Sequence, residues 1–512
     1  MTAVRPYETL WAALWKSAAT EHVARSTGDA GPSGGIEAEH PLLEATDRHL
    51  DSLESGTPLP PPPDPATADE RDPAVAAYLA QLHHRMAHAK IADDPAMGAE
   101  LARQLAEFKF REPPWTEMWI QYFEYYAQYP YHLGGQPQYR SWKDAGGDLG
   151  FGVVEWRLPA DATIAIVGDI GTGTDVAAAV LEAALSFEPD AILHLGDVYY
   201  SGTRFEFERR FTGLFESVFD DAGRRVPVFT VPGNHEYFTG AIPFLEYLDA
   251  APLAVSADQR QEASYFALRS ADDGWQLLGM DTGFNGHTMS VSPQQQRDAL
   301  QVLHARDPRV PADPAAGEVT PPAPGAPQVA LRDDEADWQR DKIRGFPGRS
   351  ILLSHHQLYS ATQPCGPAAG AAPGDLDREW VNTALWKQLG ADFGERVAAW
   401  VWGHEHNLGI YADGYRPADW PADPGDDFRA LPKGRCAGHA AIPVQDVEDP
   451  YAQTYPVPLV SDDVRLGLTG GWYNRGFEVL QLAGAGRPAT LRYFQIEGAE
   501  PEPLPIHEEA VA

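Results

Sequence analysis

Ala191-Ile192-Leu193-His194-Leu195-Gly196-Asp197-Val198-Tyr199-Tyr200 decides how the rest of the chain is read. Ala191 to Leu195 form a short, nearly all-apolar run, the pattern of a strand covered on both faces. Glycine breaks the run, and an acid follows at once. The same order of parts recurs along the chain. Thr163 to Val167 leads into Gly168-Asp169-Ile170-Gly171, and Val226 to Val231 into Gly233-Asn234-His235-Glu236. Ser350 to Leu353 leads into His355-His356, and Val397 to Trp402 into Gly403-His404-Glu405-His406. A single Gly-Asp or Gly-His pair is common in loops; the ordered set is the signal. Side chains carried at strand ends of an open α/β sheet converge on the crevice where such sheets bind substrates. Together the clusters offer Asp, Asn, Tyr and His donors, an oxygen and nitrogen set suited to two hard or borderline metal ions.

Outward from these clusters, strand and helix alternate. Helices are expected near 175–187, 204–219 and 241–249, each after one of the first three strands, and two more strands near 264–269 and 275–280. Ser292-Pro293 supplies an N-cap and a first-turn proline for another helix. Residues 307–327 read as an exposed Pro/Ala/Gly insertion. Helix 333–343 precedes strand 350–353, and helix 377–389 precedes strand 397–402. The Gly/Pro-rich stretches 363–374 and 413–458 read as long loops on the site's side of the sheet, placed to shape substrate access. Strands near 463–470, 475–482 and 489–496 complete a sandwich.

Residues 1–150 read as a helical extension that contains linkers, ahead of a catalytic unit over 151–500. Leu10, Trp11, Leu14 and Trp15 share a helical stripe, and five prolines between 58 and 63 mark an extended linker. His84 and His88 stand at i and i+4, but without a third ligand they read as a solvated helix face. The aromatic-rich stretch from Pro113 to Tyr139 has helical spacing at Trp119, Tyr122, Phe123 and Tyr126, as expected of a segment packed on the main unit.

Acidic residues number 74 against 39 basic ones, a formal charge of -35. Such a charge repels nucleic-acid phosphates, so nucleic acid is disfavoured as a partner. Cys365 and Cys436 are too few for a disulfide framework and read as free thiols, with a loop-to-loop bridge as the alternative. The first residues lack a continuous apolar core with a cleavage site, and no stretch reaches the length of a membrane span. Cytoplasmic residence is the expectation. The oligomeric state does not follow from the sequence.

The clusters G-D-x-G, G-D-x-x-Y, G-N-H-[DE], a strand-end His and G-H-x-H resemble the calcineurin-like metallophosphoesterase superfamily. Within it, Gly171 and Tyr200 resemble the purple acid phosphatase pattern. The resemblance covers roughly residues 163–406 and implies a four-layer α/β/β/α sandwich. It implies that Asp169, Asp197, Tyr200 and His406 hold one ion, and that Asp197, Asn234, His355 and His404 hold the other, with Asp197 as the bridge. A Tyr200 phenolate favours iron at the first position; Asn234 and two imidazoles suit Zn, Mn or Fe at the second. Two such ions generate hydroxide near neutral pH and neutralise phosphoryl charge.

His235 is then expected to protonate the leaving oxygen or hold the phosphoryl oxygens, with a role in orienting a ligand as the alternative. His356 is open between substrate contact and packing, while His194 and Asp281 read as structural. Glu236 is a candidate to orient His235. The implied activity is hydrolysis of small phosphomonoesters, with small phosphodiesters as the rival substrate class and an inactive metal-binding scaffold as a remote one.

Overall fold

The computed structural model describes residues 137–199, 201–287, 328–366, 380–394, 396–415, 432–444, 449–461, 463–469, 472–484 and 487–512. The readings for residues 1–136, for the helix at Ser292-Pro293, for the insertion at 307–327 and for Tyr200 lie outside the described residues.

The apolar runs read as strands form strands, and Val153–Leu158, Leu408–Ile410, Trp472–Tyr473 and Leu504–Val511 add strands that the sequence reading did not place, the last beyond the boundary at residue 500. β1 is Val153–Leu158, β2 Thr163–Val167, β3 Ala191–His194, β4 Val228–Thr230, β5 Phe266–Ser270 and β6 Trp275–Gly279. β7 is Arg349–Ser354, β8 Val397–Trp402, β9 Leu408–Ile410, β10 Lys433–Ala437, β11 Leu468–Thr469 and β12 Trp472–Tyr473. β13 is Arg475–Gln481, β14 Ala489–Ile496 and β15 Leu504–Val511. One sheet runs β1-β5-β6-β7-β8-β10-β9, and a second runs β15-β14-β13-β2-β3-β4. β2, β3 and β4 are parallel, as are β6, β7 and β8, so their C-terminal ends gather at one edge of each sheet.

Helices fill the crossovers: α1 (Asp175–Leu185), α2 (Arg204–Glu206), α3 (Gly213–Ala222), α4 (Asn234–Tyr237), α5 (Ile242–Ala250), α6 (Asp333–Gly345) and α7 (Thr383–Leu389). Thr174 caps α1 by accepting from the Ala177 amide at 3.3 Å. α6 carries Asp333, Asp334 and Glu335 in its first turn and Lys342 and Arg344 in its last, matching the helix dipole at both ends.

Alternation along the strands sorts the core into three layers. Ala165 and Val167 of β2 join Phe477 and Val479 of β13 under α1, α3 and α5. Ile164 and Ile166 of the same strand face the other way, against Phe266, Leu277, Ile351 and Val401 of the first sheet. Leu278, Leu352 and Trp400 on the far side of that sheet pack under α6 and α7. Helix, sheet, sheet, helix is the four-layer order expected from the sequence. The sheets are also joined by polar contacts: Arg435 of β10 gives two hydrogen bonds to Glu509 of β15, at 2.5 and 2.6 Å.

Several boundaries differ from the sequence reading. Within the stretch read as a loop over 413–458, residues 433–437 form β10, seated between β8 and β9. The helix read from 377 begins at Thr383, because Val381 bridges to Tyr359 and Asn382 serves as N-cap. The strand read near 463–470 is confined to the short β11, paired with β12. Part of the aromatic stretch is described at its end: Tyr139 stacks on Tyr265 and lies edge-on to Phe284, against the main unit.

Candidate metal centre

The five strand-end clusters meet in one place. Asp169 follows β2, Asp197 follows β3, and Asn234 and His235 open α4 after β4. His355 follows β7, and His404 and His406 follow β8. Asp169, Asp197, His404 and His406 all adopt positive φ, at 63°, 72°, 70° and 48°. Left-handed backbone is costly for a residue with a Cβ and concentrates at functional sites. Here it turns each chain sharply off its strand. Glycine is required just before one of these turns and just before Asn234. Gly196 has φ +96°, and a Cβ on Gly233 would overlap Asp197 Oδ1.

The side chains form two adjoining donor sets. In one, His355 Nε2 lies 3.1 Å from Asn234 Oδ1, 3.1 Å from His404 Nδ1 and 3.3 Å from Asp197 Oδ2. His355 Nδ1 is 2.8 Å from the Leu195 carbonyl, which leaves Nε2 free of a backbone partner and facing the centre. In the other set, His406 Nε2 lies 3.5 Å from Asp169 Oδ1, and the Tyr199 hydroxyl stands 2.6 Å from Asp169 Oδ1 and 3.0 Å from His406 Nε2. The second Asp169 oxygen accepts the His404 amide at 2.8 Å, tying the two sets together.

This geometry brings together Asp169, Asp197, Asn234, His235, His355, His404 and His406. Asp169, Asp197 and His355 offer donor atoms within 4.8 Å of one another, as do His355, His356 and His404. The Asp169 and Asp197 carboxyls are fully enclosed, 0% and 1% exposed. Burial pushes both upward, but the surrounding imidazoles outweigh it and hold both below the usual carboxylate range. Burial in turn opposes charge on His355, yet Asp197 raises it to about 9. Two enclosed carboxylates therefore draw in positive charge, and clustered nitrogen and oxygen donors beside them suit metal cations. The residues present fit two ions.

His235 lines the same centre. Its amide donates to Asp197 Oδ1 at 3.2 Å, its Nε2 is 3.7 Å from Asp197 Oδ2, and its ring lies edge-on to Tyr199 at 4.6 Å. The His406 side chain is 31% exposed and that of His235 10%, so the centre opens to solvent on their side.

The supporting residues were less visible in the sequence. The Glu236 carboxylate accepts the amides of Gly233 (2.7 Å), Val198 (2.8 Å) and Asp197 (3.2 Å). Glu405 accepts Trp402 Nε1 at 2.9 Å and the Ser360 hydroxyl. His356 is held at Nδ1 by Thr282 Oγ1 at 3.1 Å, with its ring 4.6 Å from that of His404. His194 is buried against Thr230 Oγ1 at 2.9 Å. Asp281 is buried and accepts from the Tyr237 hydroxyl at 2.5 Å and the Phe284 amide at 3.0 Å. Cys365 and Cys436 are buried free thiols.

Two packed mixed sheets with metal donors at their joined strand ends define a metallophosphoesterase architecture. Residues 162–408 match the family described as calcineurin-like phosphoesterase, and over them the chain is a domain of that family. No curated protein matches the sequence. No helix among the described residues is long and apolar enough to cross a membrane.

Proposed function

We propose that the protein is a dinuclear-metal phosphoesterase acting on small phosphomonoesters. One observation carries this reading: the enclosed Asp197 lies 3.3 Å from His355, of the set with Asn234 and His404, and its donor atom is within 4.8 Å of that of Asp169, of the set with His406. Asp169 and His406 would hold the first ion, Asn234, His355 and His404 the second, and Asp197 both. When bound, the ions supply Lewis acidity: they neutralise phosphoryl charge and lower the pKa of water.

The chain's own residues do the rest. His235, at the solvent side of Asp197, is placed to donate a proton to the departing oxygen or to hold a phosphoryl oxygen. Asp197 fixes that histidine through its backbone amide. Glu236 holds the Asp197 loop against the Asn234 turn, so the bridging carboxylate and His235 keep one spacing.

The test is metal analysis of purified protein beside hydrolysis of paired aryl monoester and diester substrates. Two ions per chain and faster monoester turnover are expected. Faster diester turnover would move the substrate class, and bound metal without hydrolysis of either ester would contradict the enzyme reading.

A further inference from the structure

We propose that His356 binds substrate: its Nε2–H donates a hydrogen bond to a phosphoryl oxygen of the ester beside the second metal position, an inference that rests on the dimetal reading above. His355 and His356 are neighbours in sequence, and both stand at the centre. The His356 ring lies 4.9 Å from that of His355, at 88°, and 4.6 Å from that of His404. A ring nitrogen of each of the three falls within 4.8 Å of the others, a spacing that would also suit a third imidazole ligand. What sits on Nδ1 of each histidine decides between ligand and donor.

The two adjacent rings are held in opposite tautomers. His355 Nδ1 meets the Leu195 carbonyl at 2.8 Å. A carbonyl only accepts, so Nδ1 carries a hydrogen there and Nε2 is the atom able to give a lone pair to a metal. His356 Nδ1 meets the Thr282 hydroxyl at 3.1 Å, and the same oxygen accepts the His356 amide at 3.0 Å. Thr282 is fully buried. An amide only donates, so among the described residues His356 Nδ1 is the acceptor left for the hydroxyl hydrogen. The His356 ring hydrogen is then on Nε2, which has no lone pair to offer an ion. An N–H held beside two cations is a donor for the anion they bind.

The ring is also fixed in place, as a donor to phosphoryl charge needs to be. On the backbone, the His356 amide is tied to Thr282 and its carbonyl accepts the Ser354 hydroxyl at 2.7 Å. Ser354 Oγ in turn accepts Trp400 Nε1 at 2.8 Å, which anchors the segment to β8. On the side chain, a Cβ on Gly286 would overlap the imidazole, so the turn Gly283–Gly286 closes directly against the ring. Thr282 thus sets the tautomer, and the turn that follows it sets the position.

The experiment loads Mn(II) into the wild type, His356→Asn, His356→Gln and Thr282→Val. It measures metal per chain, far-UV circular dichroism and binding of inorganic phosphate by calorimetry. Asn keeps a polar atom for Thr282 but ends short of Nε2; the Gln amide nitrogen reaches to about where Nε2 stands. All four are expected to hold two ions. His356→Asn should bind phosphate roughly 10–100-fold more weakly, the size of a lost hydrogen bond to a charged group. His356→Gln should recover most of that loss. Thr282→Val, which frees the tautomer and leaves the ring, should lose about 2–10-fold, and it decides the matter if His356→Asn does not fold. Loss of an ion in folded His356→Asn would make His356 a ligand and overturn the proposal. Phosphate affinity equal to wild type in His356→Asn, or in Thr282→Val where Asn is unfolded, overturns it as well and leaves the dimetal reading intact. Wild type that takes up no metal ends both. Wild type that holds two ions and binds phosphate but hydrolyses no ester contradicts the enzyme reading alone, and the comparison of phosphate affinities still decides the role of His356.

Discussion

The loop after β4, Gly233-Asn234-His235-Glu236, and the loop after β8, Gly403-His404-Glu405-His406, each bury a glutamate next to a histidine of the centre. They use it differently. Glu236 accepts three backbone amides, two of them from the loop that carries Asp197, so it joins one ligand loop to another. Glu405 reaches Trp402 at the end of its own strand and Ser360 after β7, behind the histidines. Burial raises both, Glu236 to about 8 with help from Asp197 and Glu405 to about 7. The pair teaches that the same residue type at similar places in two motifs can set the spacing of a site in one case and stiffen its backing in the other.

The largest effect that separates the loops is catalytic. Only the β4 loop carries a histidine that faces the centre outside the donor sets. His235→Ala is expected to slow alkyl phosphomonoesters by roughly 10²–10⁴-fold with metals retained. Aryl esters with good leaving groups should lose less. Equal losses on both would give His235 an electrostatic task instead.

Next comes the clamp. Glu236→Ala strips three amides of their acceptor, each worth about 1–3 kcal/mol when left buried and unpaired. Affinity for the second ion is expected to fall about 10–100-fold, the usual cost of losing a residue that orients ligands. Metal titration and thermal melts read both. Native metal affinity in this variant would mean the two loops hold their spacing without it.

Glu405→Ala should cost less at the metals. It leaves Trp402 Nε1 unpaired, so stability should drop by about 1–3 kcal/mol, while metal affinity stays within about tenfold of the wild type, below the top of the range for lost ligand support. If its metal affinity falls as far as that of Glu236→Ala, the distinction between the loops fails.

The smallest effect concerns Glu509, a carboxylate partnered by a guanidinium rather than by amides. Burial raises it, but Arg435 outweighs burial and lowers it from 4.5 to about 2. A depressed acid binds fewer protons in the folded state, so its contribution is complete above pH 4.5 and is lost as pH falls through about 2. Glu509→Gln should flatten the acid limb of stability across that window. An unchanged acid limb would remove the link between the sheets from the account.

Much of the site could be read from the chain because ligands at strand ends sit beside the apolar runs that define those strands. Asp169, Asp197, Asn234, His235, His355, His404 and His406 follow that rule and come together. The supporting layer could not be read the same way. Two of the three amides that Glu236 accepts, those of Asp197 and Val198, are far off in sequence, and no residue type marks an amide that needs an acceptor. That the Tyr199 hydroxyl lies beside Asp169 could not be read from the sequence, where two tyrosines stand side by side. Lys433–Ala437 lacked strand character because its buried Arg435 reads as a surface residue until Glu509, on the last strand, is set against it. The four-layer order was legible because consecutive apolar runs bury both faces of a strand, which requires covering layers on each side.

The central claim is that Asp197 joins two metal positions. The direct measurement is metal stoichiometry, by elemental analysis, of folded wild type and folded Asp197→Ala after loading with the same divalent metal. Without its bridge the centre should fall from two ions per chain to one or none, with turnover lost. Two ions retained in Asp197→Ala, at near-native activity, would contradict the account.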